Sequence, residues 1–219
     1  MGFDIRYTKK GCVVFEEAFV KGAKDILALL GHSGILRGAY LAGGTAAALQ
    51  LGHRISVDFD FFTTKEFVPK KISTALSTLG PFDEEQASKG TVSGKFKGIN
   101  FSLFIYKYPL VFPPLKYLSV NIADIRDIAA MKIDAVATRG KKRDFIDLYF
   151  ICKGGYQLID LLNFYDKKYK RLASNRIHIQ KSLVFFNDVE PDEMPRMLKD
   201  AVWKDIKKYF EHNIIRSIT

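Results

Sequence analysis

The sequence predicts an α+β fold: an N-terminal lobe with a small mixed sheet flanked by helices, followed by a helical lobe. Three observations carry this. Aromatic and aliphatic residues alternate with acids over Val57–Phe62, which is the period of a strand. Apolar residues recur at three and four over Phe15–Leu30, which is the period of a helix. Beyond Pro109, Pro113 and Pro114 the chain reads as helical almost to its end. The prolines set the expected division, with an α/β lobe over residues 1–114 and a helical lobe over 115–219.

Composition agrees with a folded body. The 219 residues are 47% hydrophobic and 26% charged, which matches the globular average and excludes a disordered chain. A chain of this size buries a core without staples. Its two cysteines, Cys12 and Cys152, form no CxxC, so a disulfide framework and a zinc ribbon are both unsupported. No apolar run reaches the ~20 residues of a membrane span, and residues 1–10 lack the apolar stretch of a signal peptide. These features predict a cytoplasmic protein with no membrane partner. With 34 Lys+Arg against 24 Asp+Glu the net charge is +10. Such a field draws phosphates, although it also occurs on proteins that bind none.

In chain order, the spacing predicts a helix over Phe15–Leu30 stopped by Gly31, then a short buried strand over Ala39–Ala42. Gly43-Gly44-Thr45 follows as a tight turn, and Ala46–Leu51 as a helix closed by Gly52. After the Val57–Phe62 strand, Pro69 opens a helix that Gly80-Pro81 ends. A hairpin comes next, Thr91–Phe96 and Ile99–Tyr106 around Lys97-Gly98. Helices are expected over 122–138, 144–153, 156–170, 174–186 and 194–211.

The chemistry concentrates in the first half. A glycine turn that opens a helix exposes backbone N–H groups at the positive helix end, with no side chains to block a phosphate. Glycine pairs also occur where a chain merely bends. Asp58 and Asp60 share one strand face. Neighbouring carboxylates on a core strand repel each other unless a cation lies between them, and magnesium is the common hard ion for oxygen ligands. The alternative is an edge strand whose acids face solvent. Other constellations are lacking. His32, His53, His178 and His212 show no HExxH spacing, and neither GxSxG nor GxxxxGK[ST] occurs. The aromatic residues, 13% of the chain, stand mostly at core spacing and read as packing rather than base stacking.

From Leu41 through Phe62, LAGGTAAALQLGHRISVDFDFF resembles the first motif of the AbiEii/AbiGii-type nucleotidyltransferase toxins, members of the DNA polymerase β-like nucleotidyltransferase superfamily. A second block, from Asp127 to Ala135 and from Arg139 to Tyr149, resembles later motifs of that family. The resemblance implies a nucleotidyltransferase-like N-terminal lobe and a magnesium-dependent transfer of NMP from an NTP to an acceptor hydroxyl. One or two Mg2+ ions would lie on Asp58 and Asp60. Gly43, Gly44 and Thr45 would hold the phosphates, and Lys132 would neutralise charge on the triphosphate. Asp144 and Asp147 lie three apart on one helix face. One of them matches the family's last acidic position, and Asp147, between Ile146 and Leu148, is preferred.

Each assignment has a plainer counterpart. Lys132 also reads as a solvated helix residue and Asp144 as an N-cap. Arg54 and Arg139 either contact phosphates or close helix ends, the latter favoured for Arg139. Lys141-Lys142-Arg143 is either a solvated turn or a contact to an RNA backbone. The superfamily's third metal-binding carboxylate has no counterpart on the 99–106 strand, where Asn100 and Ser102 stand instead. The site then has two acids and waters, or takes an acid from the helical lobe. The family relation further implies a toxin restrained by an antitoxin protein, with an RNA acceptor such as a tRNA 3′ end and a protein hydroxyl as its competitor. The main alternative is a catalytically inactive nucleotide-binding or interaction module of the same fold. A plain basic RNA-binding protein is a more distant one.

Overall fold

A computed structural model describes residues 14–170 and 174–216; Cys12 and residues 1–10 lie outside them. A 3-10 turn at Glu16–Ala18 precedes α1 (Ala23–His32). The single helix expected from Phe15 is broken at Gly22, whose φ of +82° is left-handed and cannot continue a right-handed helix. Then come β1 (Tyr40–Ala42), α2 (Gly43–Leu51), β2 (Asp58–Thr63) and α3 (Pro69–Leu79), close to their predicted places, except that Gly43-Gly44-Thr45, expected as a turn before the helix, forms the first turn of α2. The strands β3 (Phe82–Ser88), β4 (Thr91–Phe96), β5 (Ile99–Ile105), β6 (Leu115–Tyr117) and β7 (Val120–Ile122) follow. The helices α4 (Ile125–Thr138), α5 (Lys142–Lys153), α6 (Leu158–Tyr169), α7 (Ser174–Ser182) and α8 (Trp203–Arg216) complete the described chain.

One mixed seven-stranded sheet, in the order β3-β4-β5-β2-β1-β7-β6, organises the described residues. It runs past the division expected at Pro114, because β7 pairs in parallel with β1 through Leu41 and Ile122. The sheet therefore ends at Ile122, and α4 begins at Ile125 rather than 122. The core is continuous across this point: Phe59, Phe61 and Phe101 of the strands and Ile128, Ile133, Phe145 and Leu148 of the helices belong to one buried cluster. The alanines of α2 are all buried, and α2 lies against β1, β2, α4 and α5. Small side chains there bring sheet and helices together.

The C-terminal expectation also shifts. Residues 194–202 are not helical; α8 starts at Trp203. The segment before it runs alongside residues 53–55, with Ile55 N–H donating to Arg196 O at 2.8 Å and Leu198 N–H to His53 O at 2.8 Å. An extended arm thus fixes the backbone that carries His53 and Arg54.

Candidate active site

β2 occupies the centre of the sheet, antiparallel to β1 and parallel to β5. The register places Ala42 opposite Asp60, so Gly43, the next residue, meets the Asp60 carboxylate at the start of α2. Gly43 has φ +68°, and a Cβ there would lie 2.9 Å from Asp60 Oδ2. A Cβ on Gly44 would lie 2.5 Å from an Arg54 guanidinium nitrogen. Both positions need glycine because a carboxylate and a guanidinium sit against the backbone. Ala42, at the N-cap of α2, has no side-chain oxygen to cap the first turn.

The period of two then does the rest. Asp58, Asp60 and Phe62 project from one face of β2, next to Asn100, Ser102 and Phe104 of β5. All three β2 residues line a cavity of about 230 Å3 between this face and α4, together with Gly43, Gly44 and Lys132. The acids therefore do not face solvent on an edge strand. Asp58 accepts from Asn100 Nδ2 at 2.8 Å and lies 3.5 Å from Arg143. Burial raises the Asp60 pKa and the charge of Asp58 raises it further, while Lys132, Arg143 and Arg139 pull the other way. The pair is short of positive charge.

The second acid pair is built differently. Asp147 is fully buried and receives Arg54 Nε at 2.7 Å, an Arg54 terminal nitrogen at 3.0 Å, His53 Nε2 at 2.7 Å and Lys132 Nζ at 2.6 Å. Burial opposes its ionisation, yet Arg54 and Lys132 hold the carboxyl well below the usual range. His53 is pushed below its ordinary value by burial, against the pull of Asp147; its Nε2–H donates as a neutral imidazole. Lys132 also donates to Asp144 Oδ1 at 2.7 Å. Asp144 Oδ2 is buried without a hydrogen bond, and an Arg139 terminal nitrogen lies 3.8 Å from it.

Several expectations change on this geometry. Asp144 is not an N-cap: that position is Lys141, and Asp144 lies in the first turn of α5 and lines the cavity. Lys132 is not a solvated residue but a buried one, only 5% exposed. Asp147, preferred from its apolar neighbours, is absent from the cavity lining and serves as the hub that orients Arg54 and Lys132. The Thr45 hydroxyl turns inward, bonded to Ser56 Oγ at 2.9 Å and to the Asp58 carbonyl, so only the two glycines of the turn reach the cavity. Arg54 reaches it while committed to Asp147. Arg139 closes α4, the reading favoured for it, and its side chain also lines the cavity. Of the basic cluster, Arg143 borders the cavity, whereas Lys142 is buried on the carbonyls of Glu190 and Asp192. Phe62 and Tyr106 pack against the core and each other, and they also form an apolar wall of the cavity with Ile128 and Met131. The missed partner His53 carried no local signal, since its contact is 94 residues away.

Residues 99–214 match the model of the family described as nucleotidyl transferase AbiEii toxin, type IV toxin–antitoxin system. The chain belongs to this family. The match contains the second block of motif residues and begins beyond Asp58 and Asp60, which rest on the geometry above. The AbiEii chain is 37% identical over 199 residues to the uncharacterized protein aq_aa25 of Aquifex aeolicus, covering 89% of this chain and 95% of that one. Its fold is similar to that of JHP933 from Helicobacter pylori, with a TM-score of 0.55 at 19% identity over 94% of this chain and 95% of that one. It is also similar to MenT4, a nucleotidyltransferase toxin of Mycobacterium tuberculosis, with a TM-score of 0.54 at 13% identity over 86% and 83%. The protein is a nucleotidyltransferase of the AbiEii toxin class. No helix among the described residues is long and apolar enough to cross a membrane.

Proposed function

We propose that this AbiEii protein transfers a nucleoside monophosphate from an NTP to a hydroxyl at an RNA 3′ end, with magnesium held by Asp58 and Asp60. The observation that carries the reading is the meeting of these two acids with the glycine start of α2 in one cavity that also holds Lys132, Arg139 and Arg143. The donor set fits a hard divalent ion. Asp60 is half-buried beside a like charge, and a cation between the acids would remove that repulsion. No three His, Cys, Asp or Glu side chains cluster as a metal site among the described residues, so two acids completed by water and substrate oxygens is the reading that fits. When bound, magnesium would supply Lewis-acid stabilisation of phosphate charge.

The chain's own residues supply the remainder. The backbone at Gly43 and Gly44 accepts a phosphate where α2 begins. Lys132, fixed by two carboxylates, and the more exposed Arg139 and Arg143 offset charge that grows on the triphosphate as pyrophosphate departs. Phe62, Tyr106, Ile128 and Met131 give the nucleoside an apolar wall. Asp147 touches no substrate in this scheme; it holds Arg54 and Lys132 in place. An antitoxin partner follows from the type IV class, and the +10 charge favours RNA over a protein hydroxyl as acceptor.

The test is incubation of the protein with each labelled NTP, magnesium and total RNA, with Asp58→Ala in parallel. Label should enter RNA with the wild type alone. Equal transfer by both proteins, or label found only in protein, overturns the reading.

A further inference from the structure

A second groove, of about 330 Å3, opens at the C-terminal end of α4 between that helix and α7. Thr138 and Arg139 line both this groove and the cavity of the acid pair, so the two spaces adjoin at the end of α4. The groove also presents His178 and Lys181 from α7, and Phe185 from the turn beyond it. Phe185 is 51% exposed, an unusual place for a large aromatic ring. The fixed charges in the groove are Arg139 and Lys181 against the single carboxylate of Asp188.

An exposed ring in a groove that also holds two fixed cations, adjoining the cavity of the acid pair, has the chemistry of a single-stranded nucleic-acid subsite. Unpaired bases stack on aromatic faces while Arg and Lys hold their phosphates. An apolar peptide would leave the cations without use, and an acidic one would leave the flat ring without use. We propose that this groove binds the acceptor RNA strand just before its terminal nucleotide. Phe185 stacks a base, Arg139 and Lys181 hold adjoining phosphates, and the terminal hydroxyl enters the cavity past Thr138. The inference rests on the RNA-acceptor reading above and names where that acceptor lies.

The test measures binding without turnover. The full chain, with no NTP present, is titrated into a short fluorescent single-stranded RNA, and anisotropy gives the affinity of wild type, Phe185→Ala, Phe185→Leu and Lys181→Glu. Phe185→Ala and Phe185→Leu should each weaken binding about tenfold, the leucine keeping apolar volume but not the stacking face. Lys181→Glu should weaken it by a similar factor, about tenfold, and lower the salt dependence by about one released ion. Calorimetry with NTP and magnesium should find all three variants equal to wild type, which shows that they are folded. Affinities within about twofold of wild type for every variant overturn the groove, as does a wild type that binds NTP but no RNA. Loss of RNA binding in the variants without label transfer by the wild type would keep the groove and remove the proposed reaction instead.

Discussion

Two pairs of acids stand close to one another in this protein and are treated in opposite ways. Asp144 and Asp147 on α5 are enclosed by Lys132, Arg54 and His53, and Asp147 is ionised because its partners surround it. Asp58 and Asp60 on β2 have one amide at 2.8 Å and one arginine at 3.5 Å between them, and Asp60 resists ionisation. Asp147 has both oxygens satisfied within the chain, and of Asp144, which lines the cavity, one oxygen is bonded to Lys132 and the other has no hydrogen bond. The β2 pair is left to be completed by something that binds. Under the proposed function, that difference separates a residue that builds the site, Asp147, from the pair that would act in it, although both are acidic and both occur in motif blocks.

The largest effect should follow from removing the uncompleted pair. Asp58→Ala or Asp60→Ala should reduce nucleotidyl transfer by a factor on the order of 10^3, as loss of a group that stabilises transition-state charge does, while the melting temperature does not fall. Single-turnover transfer rates and thermal melts check both halves. Retained activity in either variant would place the chemistry elsewhere.

Asp147→Ala should act first on stability. It leaves Arg54 and Lys132 buried without their shared partner, and breaking a buried ion network in this way costs about 3–5 kcal/mol. Urea unfolding measures it. A small change would mean that water or Asp144 takes over both cations, and the contrast between the pairs would lose its basis.

How legible these pairs were depends on the distance over which each is made. Asp58 and Asp60 were legible because the period of a strand is local and needs no knowledge of partners. The spacing of Asp144 and Asp147 was equally plain, but Arg54 and His53 lie more than 90 residues earlier and reach Asp147 only through the fold. The strands β6 and β7 were illegible for a different reason. Their two-residue turn places Leu118 and Ser119 at positive φ, 49° and 64°, where the usual signal is Asn or Gly. The edge strand β3 is FDEEQAS, exposed over six of its seven residues, with no apolar alternation to read. In each case the element is specified by its neighbours rather than by its own residues.

A smaller effect sharpens the comparison by its sign. Burial and the charge of Asp58 raise the Asp60 pKa above its ordinary 3.8, so the ionised carboxylate weakens the fold at neutral pH. That penalty is present above the raised folded value and is gone below 3.8. Asp60→Asn should therefore raise the melting temperature at neutral pH while abolishing transfer, and the gain should vanish in acid. Asp147→Asn should move the melting temperature the other way. Shifts of the same sign in both variants would show that the pairs are not opposites.

The smallest expected effect concerns His53, which joins the α5 network while neutral. Its folded pKa lies below 6.5 because burial disfavours the imidazolium more than Asp147 favours it. As pH falls through 6.5 the unfolded chain takes up this proton and the folded chain does not, so the contribution of His53 is complete above 6.5 and declines toward the lowered folded value. His53→Gln keeps a donor within reach of Asp147 but cannot titrate. The stability difference between wild type and this variant, measured by urea unfolding from pH 8 to pH 5, should be constant at the alkaline end and should shift against the wild type in acid. A difference that instead shifts toward the wild type as the pH drops would make His53 a cation held by Asp147. The α5 pair would then carry more positive charge, and the asymmetry between the two acid pairs would be larger than the neutral imidazole allows.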